Sequence, residues 1–196
     1  MISTFAFIAM SKLLFLILIV TPVIFSQGNR SFSLYGEFGY GFSRTEYSST
    51  RVGTGVNLAL TGGVDQWLIK YSRRVNNESS LISPQEKINV NSILIGHSFI
   101  LYRSFDELRH VTSELNITGY VGYGSIENQR RGRLLNSQWL NNSYEHVVEH
   151  GYGIPIELEI QYIIPHYQAG ALSLFYNAND FRDYYGINLM IFAGYF

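Results

Sequence analysis

The fold class this sequence predicts is all-β: an eight-stranded antiparallel transmembrane β-barrel behind an N-terminal signal peptide. Three observations predict it. Runs long enough to cross a bilayer alternate apolar and polar residues with a period of two. The connections between these runs are alternately long and short, as a membrane barrel requires. The polar face of the runs carries charges near mid-strand, where a membrane barrel gathers them inside.

Composition sets the outer bounds. A chain of 196 residues with 46% hydrophobic and 15% charged residues has enough apolar surface to bury one sizeable core and too little charge for a disordered segment. Its 14 basic and 15 acidic residues leave no positive excess to neutralise phosphates, so no nucleic acid is expected as a partner. The absence of cysteine excludes disulfides, zinc-thiolate sites, thiol nucleophiles and a lipid-anchored cysteine. The 15 tyrosines, 13 phenylalanines and 18 glycines suit interfacial aromatic girdles and closely packed strands.

Residues 1–26 read as the signal peptide. Lys12 precedes an apolar run from Leu13 to Val20, then Thr21-Pro22, and Ser26 is a small residue at the expected cut. That run is shorter than the roughly 20 residues a spanning helix needs. An uncleaved anchor helix, helped by the apolar stretch from Phe5 to Met10, is the alternative; Ile24 is a poor residue three places before a cut, and Met10 is an alternative start. The barrel domain is expected over 29–196.

The first strand places Phe32, Leu34, Phe38, Tyr40 and Phe42 opposite Ser31, Ser33, Tyr35, Glu37 and Gly39. The second sets Val52, Val56, Leu58 and Leu60 against Arg51, Gly53, Gly55 and Asn57, and is expected to end in a tight turn at Thr61-Gly62-Gly63. In the third, Trp67, Ile69 and Tyr71 oppose Gln66, Lys70 and Ser72. The fourth, from Lys87 to Leu101, reads as a strand with a mixed apolar pattern, and its register stays open. The fifth, from Val111 to Gly124, alternates Val111, Leu115, Ile117, Val121 and Tyr123 with Thr112, Glu114, Asn116, Thr118 and Tyr120. In the sixth, Tyr152, Ile154, Ile156, Leu158, Ile160 and Tyr162 face away from Gly153, Glu157, Glu159 and Gln161, with Pro155 marking a bulge or a weakly paired stretch. Tyr167 to Tyr176 and Tyr184 to Phe196 complete eight.

The long connections are then Arg44 to Ser49, Val75 to Glu86, Ser125 to Tyr144 and Asn177 to Asp183; the short ones are Thr61 to Gly63, Tyr102 to Arg109 and Pro165-His166. With the N-terminus in the periplasm the long set lies outside the cell. The third long connection carries Arg130, Arg131, Arg133 and Trp139, a basic surface able to meet the phosphates of lipopolysaccharide.

Alternation alone also fits a soluble barrel. Glu37, Arg51, Lys70, Glu114, Glu157 and Glu159 decide between the two, because the face opposite them is almost wholly aromatic and aliphatic. Exposed to water, that face would far exceed the few hundred Å² that soluble monomers tolerate. The six charged residues are expected inside, where an eight-stranded barrel has room only for side chains, and to pair there as a plug. A narrow pore lined by the same charges is the alternative.

The last strand puts Met190, Phe192 and Phe196 on one face and ends the chain on an aromatic. This resembles the C-terminal signal by which bacterial outer-membrane barrels are handed to the barrel-assembly machinery. Together with the leader and the other seven strands, the chain resembles the small outer-membrane β-barrel proteins of the OmpA and OmpX type. The aromatic-rich style, Phe25-Ser26-Gln27 and Gly194-Tyr195-Phe196 are most similar to Bacteroidetes members. The resemblance implies an integral protein of the cell outer membrane, with that membrane's lipids and lipopolysaccharide as neighbours and the assembly machinery as a partner in biogenesis.

No chemistry is expected, and no cofactor or metal. His97 and Ser98 adjoin, but neighbours in a strand point to opposite faces and cannot form a nucleophile and base pair. In the same way His146 and His150 share one face while Glu145 and Glu149 take the other, which leaves no third ligand for a metal. The expected role is structural or a surface interaction through the outer loops, with a lipid A-modifying or lipid-binding enzyme and a small-solute channel as alternatives.

Overall fold

The computed structural model describes residues 32–45, 52–79, 86–138, 141–164, 168–181 and 183–195. The expected signal peptide, Arg51, Pro165-His166 and Phe196 lie outside the described residues, as do the side chains of residues 130–146. Eight strands form one closed barrel in sequence order: β1 (Phe32–Thr45), β2 (Val52–Val64), β3 (Trp67–Ser79), β4 (Glu86–Phe105), β5 (Val111–Gln138), β6 (Asn141–Ile164), β7 (Gln168–Asn179) and β8 (Tyr184–Tyr195). β1 closes onto β8 in antiparallel register from Leu34↔Tyr195 to Thr45↔Tyr184. Closure pairs both edges of the sheet along the barrel wall.

The strands are strongly staggered. Register partners followed from Trp67, at the start of β3, run through His97, Gly119, Leu158, Leu174 and Ile187 to Phe42, three residues short of the far end of β1. A line perpendicular to the strands thus climbs from the end that holds the chain termini to the end that holds the long connections. This is the tilt that closing a narrow barrel imposes.

Alternation sets the two surfaces. On β6, Tyr152, Ile154, Ile156, Leu158, Ile160 and Tyr162 all point outward and are exposed. On β8 the outward set is Tyr185, Ile187, Leu189, Ile191 and Tyr195. Each set is an aliphatic row between two tyrosines ten residues apart. At about 3.4 Å per residue and a tilt of about 40°, ten residues rise about 26 Å, the height of a bilayer's apolar band with its aromatic girdles. Trp67 and Phe99 join the girdle at the terminal end, and Tyr123 stacks on Tyr152 at the loop end with ring centroids 5.5 Å apart.

Four connections differ from expectation. The first hairpin turns at Asp65-Gln66, beyond Thr61-Gly62-Gly63, with Val64 paired to Trp67. Asp65 takes φ 57°, a left-handed conformation that aspartate tolerates, while Thr61 is held inside the barrel by a hydrogen bond to Glu37. β4 runs on to Phe105 through a bulge between Ile100 and Tyr102, which shortens the middle turn; there the His110 backbone N–H donates to Asp106 Oδ1 at 2.7 Å. β3 continues to Ser79.

The largest difference is the third long connection, expected as a loop from Ser125 to Tyr144. It is a β-ribbon instead, paired as far as Gln138↔Asn141. β4 accompanies β5 only to Gln129, and β7 accompanies β6 only from Gly153, so nine residues of β5 and twelve of β6 project past their neighbours. At Pro155 the expected weak pairing is present: the β5–β6 register passes from Val121↔Ile156 to Gly124↔Gly153 with no pair between and no shift. A proline has no N–H to give to the ladder.

Candidate functional site

Among the described residues, charges gather in the lumen. Lys70, on the inner face of β3, lies 2.8 Å from Glu37 Oε2 on β1 and 3.4 Å from Glu157 Oε2 on β6, and it donates to Glu159 Oε1 as well. Arg74, four residues along β3, reaches Glu157 Oε1 at 3.1 Å. Polar neighbours share the load: Thr61 donates to Glu37, Ser173 to Glu157, and Gln161 to Glu159 at 2.6 Å. Two aromatic faces complete the cation shells, with Lys70 Nζ 4.8 Å from the Tyr120 ring centre and the Arg74 guanidinium 3.7 Å from that of Phe175.

Period two on β3, β6 and β1 brings this set together from distant parts of the chain. Lys70, Ser72 and Arg74 alternate inward on β3, as do Glu157, Glu159 and Gln161 on β6. An isolated charge inside the barrel would be prohibitive; a mutually hydrogen-bonded group of two cations and three carboxylates is tolerable, because each charge is met by others and by neutral donors. With all five ionised the group carries one net negative charge.

At this level every strand contributes a residue at most 4% exposed: Glu37, Thr61, Lys70, Leu94, Thr118, Glu159, Ser173 and Met190, from β1 to β8 in order. Apolar layers lie on either side of this belt. Toward the chain termini Tyr35, Ile163, Ala169, Ala171 and Phe192 pack together against Met190 of the belt, with Tyr35 and Phe192 stacked at 5.3 Å. Toward the loops Ile88, Val90, Ile126, Phe175 and Tyr184 pack beneath Phe181. A shallow recess remains at the loop end, lined by Ile88, Ile126, Asn128, Asn179, Phe181 and Tyr184.

Of the six charged residues expected inside, Glu37, Lys70, Glu157 and Glu159 meet in this network. Glu114 does not: it lies near the terminal end, half-buried, in an ion pair with Arg103 at 2.7 Å. Arg51 lies outside the described residues. Arg74 was missed, although continuing the alternation from Lys70 through Ser72 points it inward. Met190 and Phe192 do share a face, and that face is the interior; the outward residues of β8 are the other parity.

His97 and Ser98 separate as expected. The His97 ring packs outside against Trp67 and Phe99, with centroids 4.8 and 4.5 Å away, while Ser98 points inward and accepts from Thr118. Among the described residues no three His, Asp or Glu side chains converge on a metal-sized site. His146 and Glu145 lie outside that description; Glu149 accepts from Asn128 at 3.5 Å.

No sequence-family model matches the chain. No curated protein sequence matches it either. Solved structures do. Neisserial surface protein A is similar over 86% of this chain and 100% of its own, with 7% identity and a TM-score of 0.59. Ail, the attachment invasion locus protein of Yersinia pestis, is similar over 84% of this chain and 96% of its own, with 13% identity and a TM-score of 0.50. These likenesses show the fold, an eight-stranded barrel of the small outer-membrane kind.

Proposed function

We propose that this chain is an integral, non-catalytic protein of the outer membrane, exported through a cleaved signal peptide, whose work is done by the extracellular ends of its strands. Its partners on this reading are the lipids of that membrane, lipopolysaccharide included, and the barrel-assembly machinery during biogenesis. The observation that carries it is the closed belt around Lys70: eight strands each supply a residue withheld from water, so the lumen offers a solute no path. What remains free to act is the surface, above all the β5–β6 ribbon that projects past the barrel wall. The structural neighbours, a surface protein and an attachment invasion protein by their names, support a surface role. The separation of His97 from Ser98 supports the non-catalytic reading.

Two measurements on the mature protein test it. Added protease should cut the ribbon on intact cells and leave a barrel whose gel mobility still shifts on heating. In planar bilayers the protein should give no steady conductance. A chain soluble without detergent would overturn the membrane assignment, and a steady ohmic current would replace the surface role with a channel.

A further inference from the structure

Arg73 and Arg74 are adjacent on β3 and point in opposite directions. Arg74 enters the lumen and pairs with Glu157; Arg73 faces outward and is exposed. Its register partners are Leu58 on β2 and Asn91 on β4. From Asn91 the line of partners continues through Ser125 to Tyr152 in the loop-end aromatic girdle. Three strand spacings of about 4.8 Å, climbing at a tilt of about 40°, place Arg73 about 9 Å below the level of Tyr152. On the far wall that depth is occupied by residues such as Ile156.

A cation on the lipid face of a barrel costs about 2–4 kcal/mol at the bilayer centre and falls toward zero near the interface. Among the described residues no carboxylate lies within ion-pair distance of Arg73. On this outer face the Glu127 carboxylate of β5 accepts from Asn89 at 3.1 Å, so the protein offers Arg73 polar company but no direct ion pair. The Tyr71 hydroxyl donates to Asn91 Oδ1 at 3.4 Å, and among the described residues the Asn91 amide N–H groups have no protein acceptor. Lys87, exposed on the same outward face of β4, extends this polar column toward the loop end. An arginine side chain is long enough to carry its guanidinium most of that way up to the headgroups, and there it matches a phosphate, which it can hold through two parallel hydrogen bonds.

We propose that Arg73 and Asn91, the latter oriented by Tyr71, form an outward-facing site on β3–β4 that holds a phosphate of an anionic glycolipid of the outer leaflet, of the lipid A type. The site deepens the membrane reading above and rests on it. Lipid supplies here the counter-charge that Glu157 supplies to Arg74 inside. Neutral or zwitterionic lipid leaves Arg73 unmatched.

Native mass spectrometry of the folded barrel in zwitterionic detergent tests this, with bisphosphorylated lipid A, dephosphorylated lipid A and inorganic phosphate as probes. The wild type should retain the phosphorylated lipid about tenfold more strongly than the dephosphorylated one, the worth of one charge-assisted contact. In Arg73→Gln the preference should vanish, and in Arg73→Lys part of it should survive. Arg73→Leu suits a lipid-facing position, so it should stay folded by heat-modifiable mobility while losing the preference. Equal retention of both lipids by the wild type, an unchanged preference in Arg73→Gln, or binding of inorganic phosphate alone as strongly as the lipid would each overturn the site. Solubility without detergent would instead sink the membrane reading on which it rests.

Discussion

β4 and β6 face the same lumen and the same surroundings, yet they divide polarity in opposite ways. β6 turns Glu157, Glu159 and Gln161 inward and an aliphatic row outward. The loop-end half of β4 turns Ile88, Val90 and Leu94 inward and Lys87, Asn89 and Asn91 outward. The difference teaches that the lumen is layered. β6 crosses the charged belt at mid-height, whereas β4 supplies the apolar layer above it, and its outer polar residues climb from Asn91, still within the apolar band, to Lys87 at the loop end. Which face of a strand is polar therefore depends on the height at which it is read.

If the belt on β6 is held by mutual compensation, breaking one side should have the largest effect. Lys70→Met leaves Glu37 and Glu159 without their cation, and unfolding by urea in detergent micelles should show a loss of about 3–5 kcal/mol. The double change Lys70→Met with Glu159→Leu should recover much of that loss, since an apolar pair can replace a buried ionic one. If the double variant is no better than the single, the charges do not compensate one another.

The outer face of β6 comes next. Ile156→Arg should cost about 2–4 kcal/mol in a zwitterionic bilayer, as expected for a cation on the lipid face. On β4, Asn91→Leu should leave stability within about 0.5 kcal/mol, because that position is already matched to a polar setting only by Tyr71 and Arg73. Equal costs at the two positions would erase the distinction between the strands.

Glycines on β5 give the smallest contrast, inner face against outer. A methyl group on Gly122 would lie 2.0 Å from the Ile93 carbonyl oxygen and 2.7 Å from the Leu94 Cα, both backbone, so Gly122→Ala should destabilise by about 1–3 kcal/mol. At Gly119 a methyl group meets nothing within 4 Å, and Gly119→Ala should be neutral in the same unfolding assay.

Much of this was legible in the sequence, because a strand that crosses lipid must keep one face apolar for its whole span, and β1, β2, β5 and β6 do so. Glu37, Glu157 and Glu159 could be placed inside on that ground alone, and Lys70 by Trp67, Ile69 and Tyr71 opposite it. Three things resisted. Arg73 and Arg74 carry the same charge on adjacent residues, so composition does not say which enters the lumen; only the register from Lys70 does. β4 has a mixed pattern because its inner residues build an apolar layer while its outer face passes from Lys87, Asn89 and Asn91 to Ile93 and Ile95, and alternation does not separate inside from outside there. The ribbon beyond Gln129 has no lipid to keep one face apolar, so its strands lacked the pattern and read as loop. The turn at Asp65-Gln66 was hidden by Gly62 and Gly63, of which Gly63 serves close packing: a methyl group there would lie 2.3 Å from the Trp67 carbonyl oxygen.

The closed belt is tested most directly by a single thiol placed in it, since the chain has no cysteine of its own. Ser173, fully buried and donating to Glu157, is the position of choice. Ser173→Cys, folded in liposomes and challenged from both sides with a small membrane-impermeant thiosulfonate reagent, should stay unmodified until the barrel is unfolded. Rapid modification of the folded barrel would mean that water reaches mid-lumen and that the barrel is not plugged.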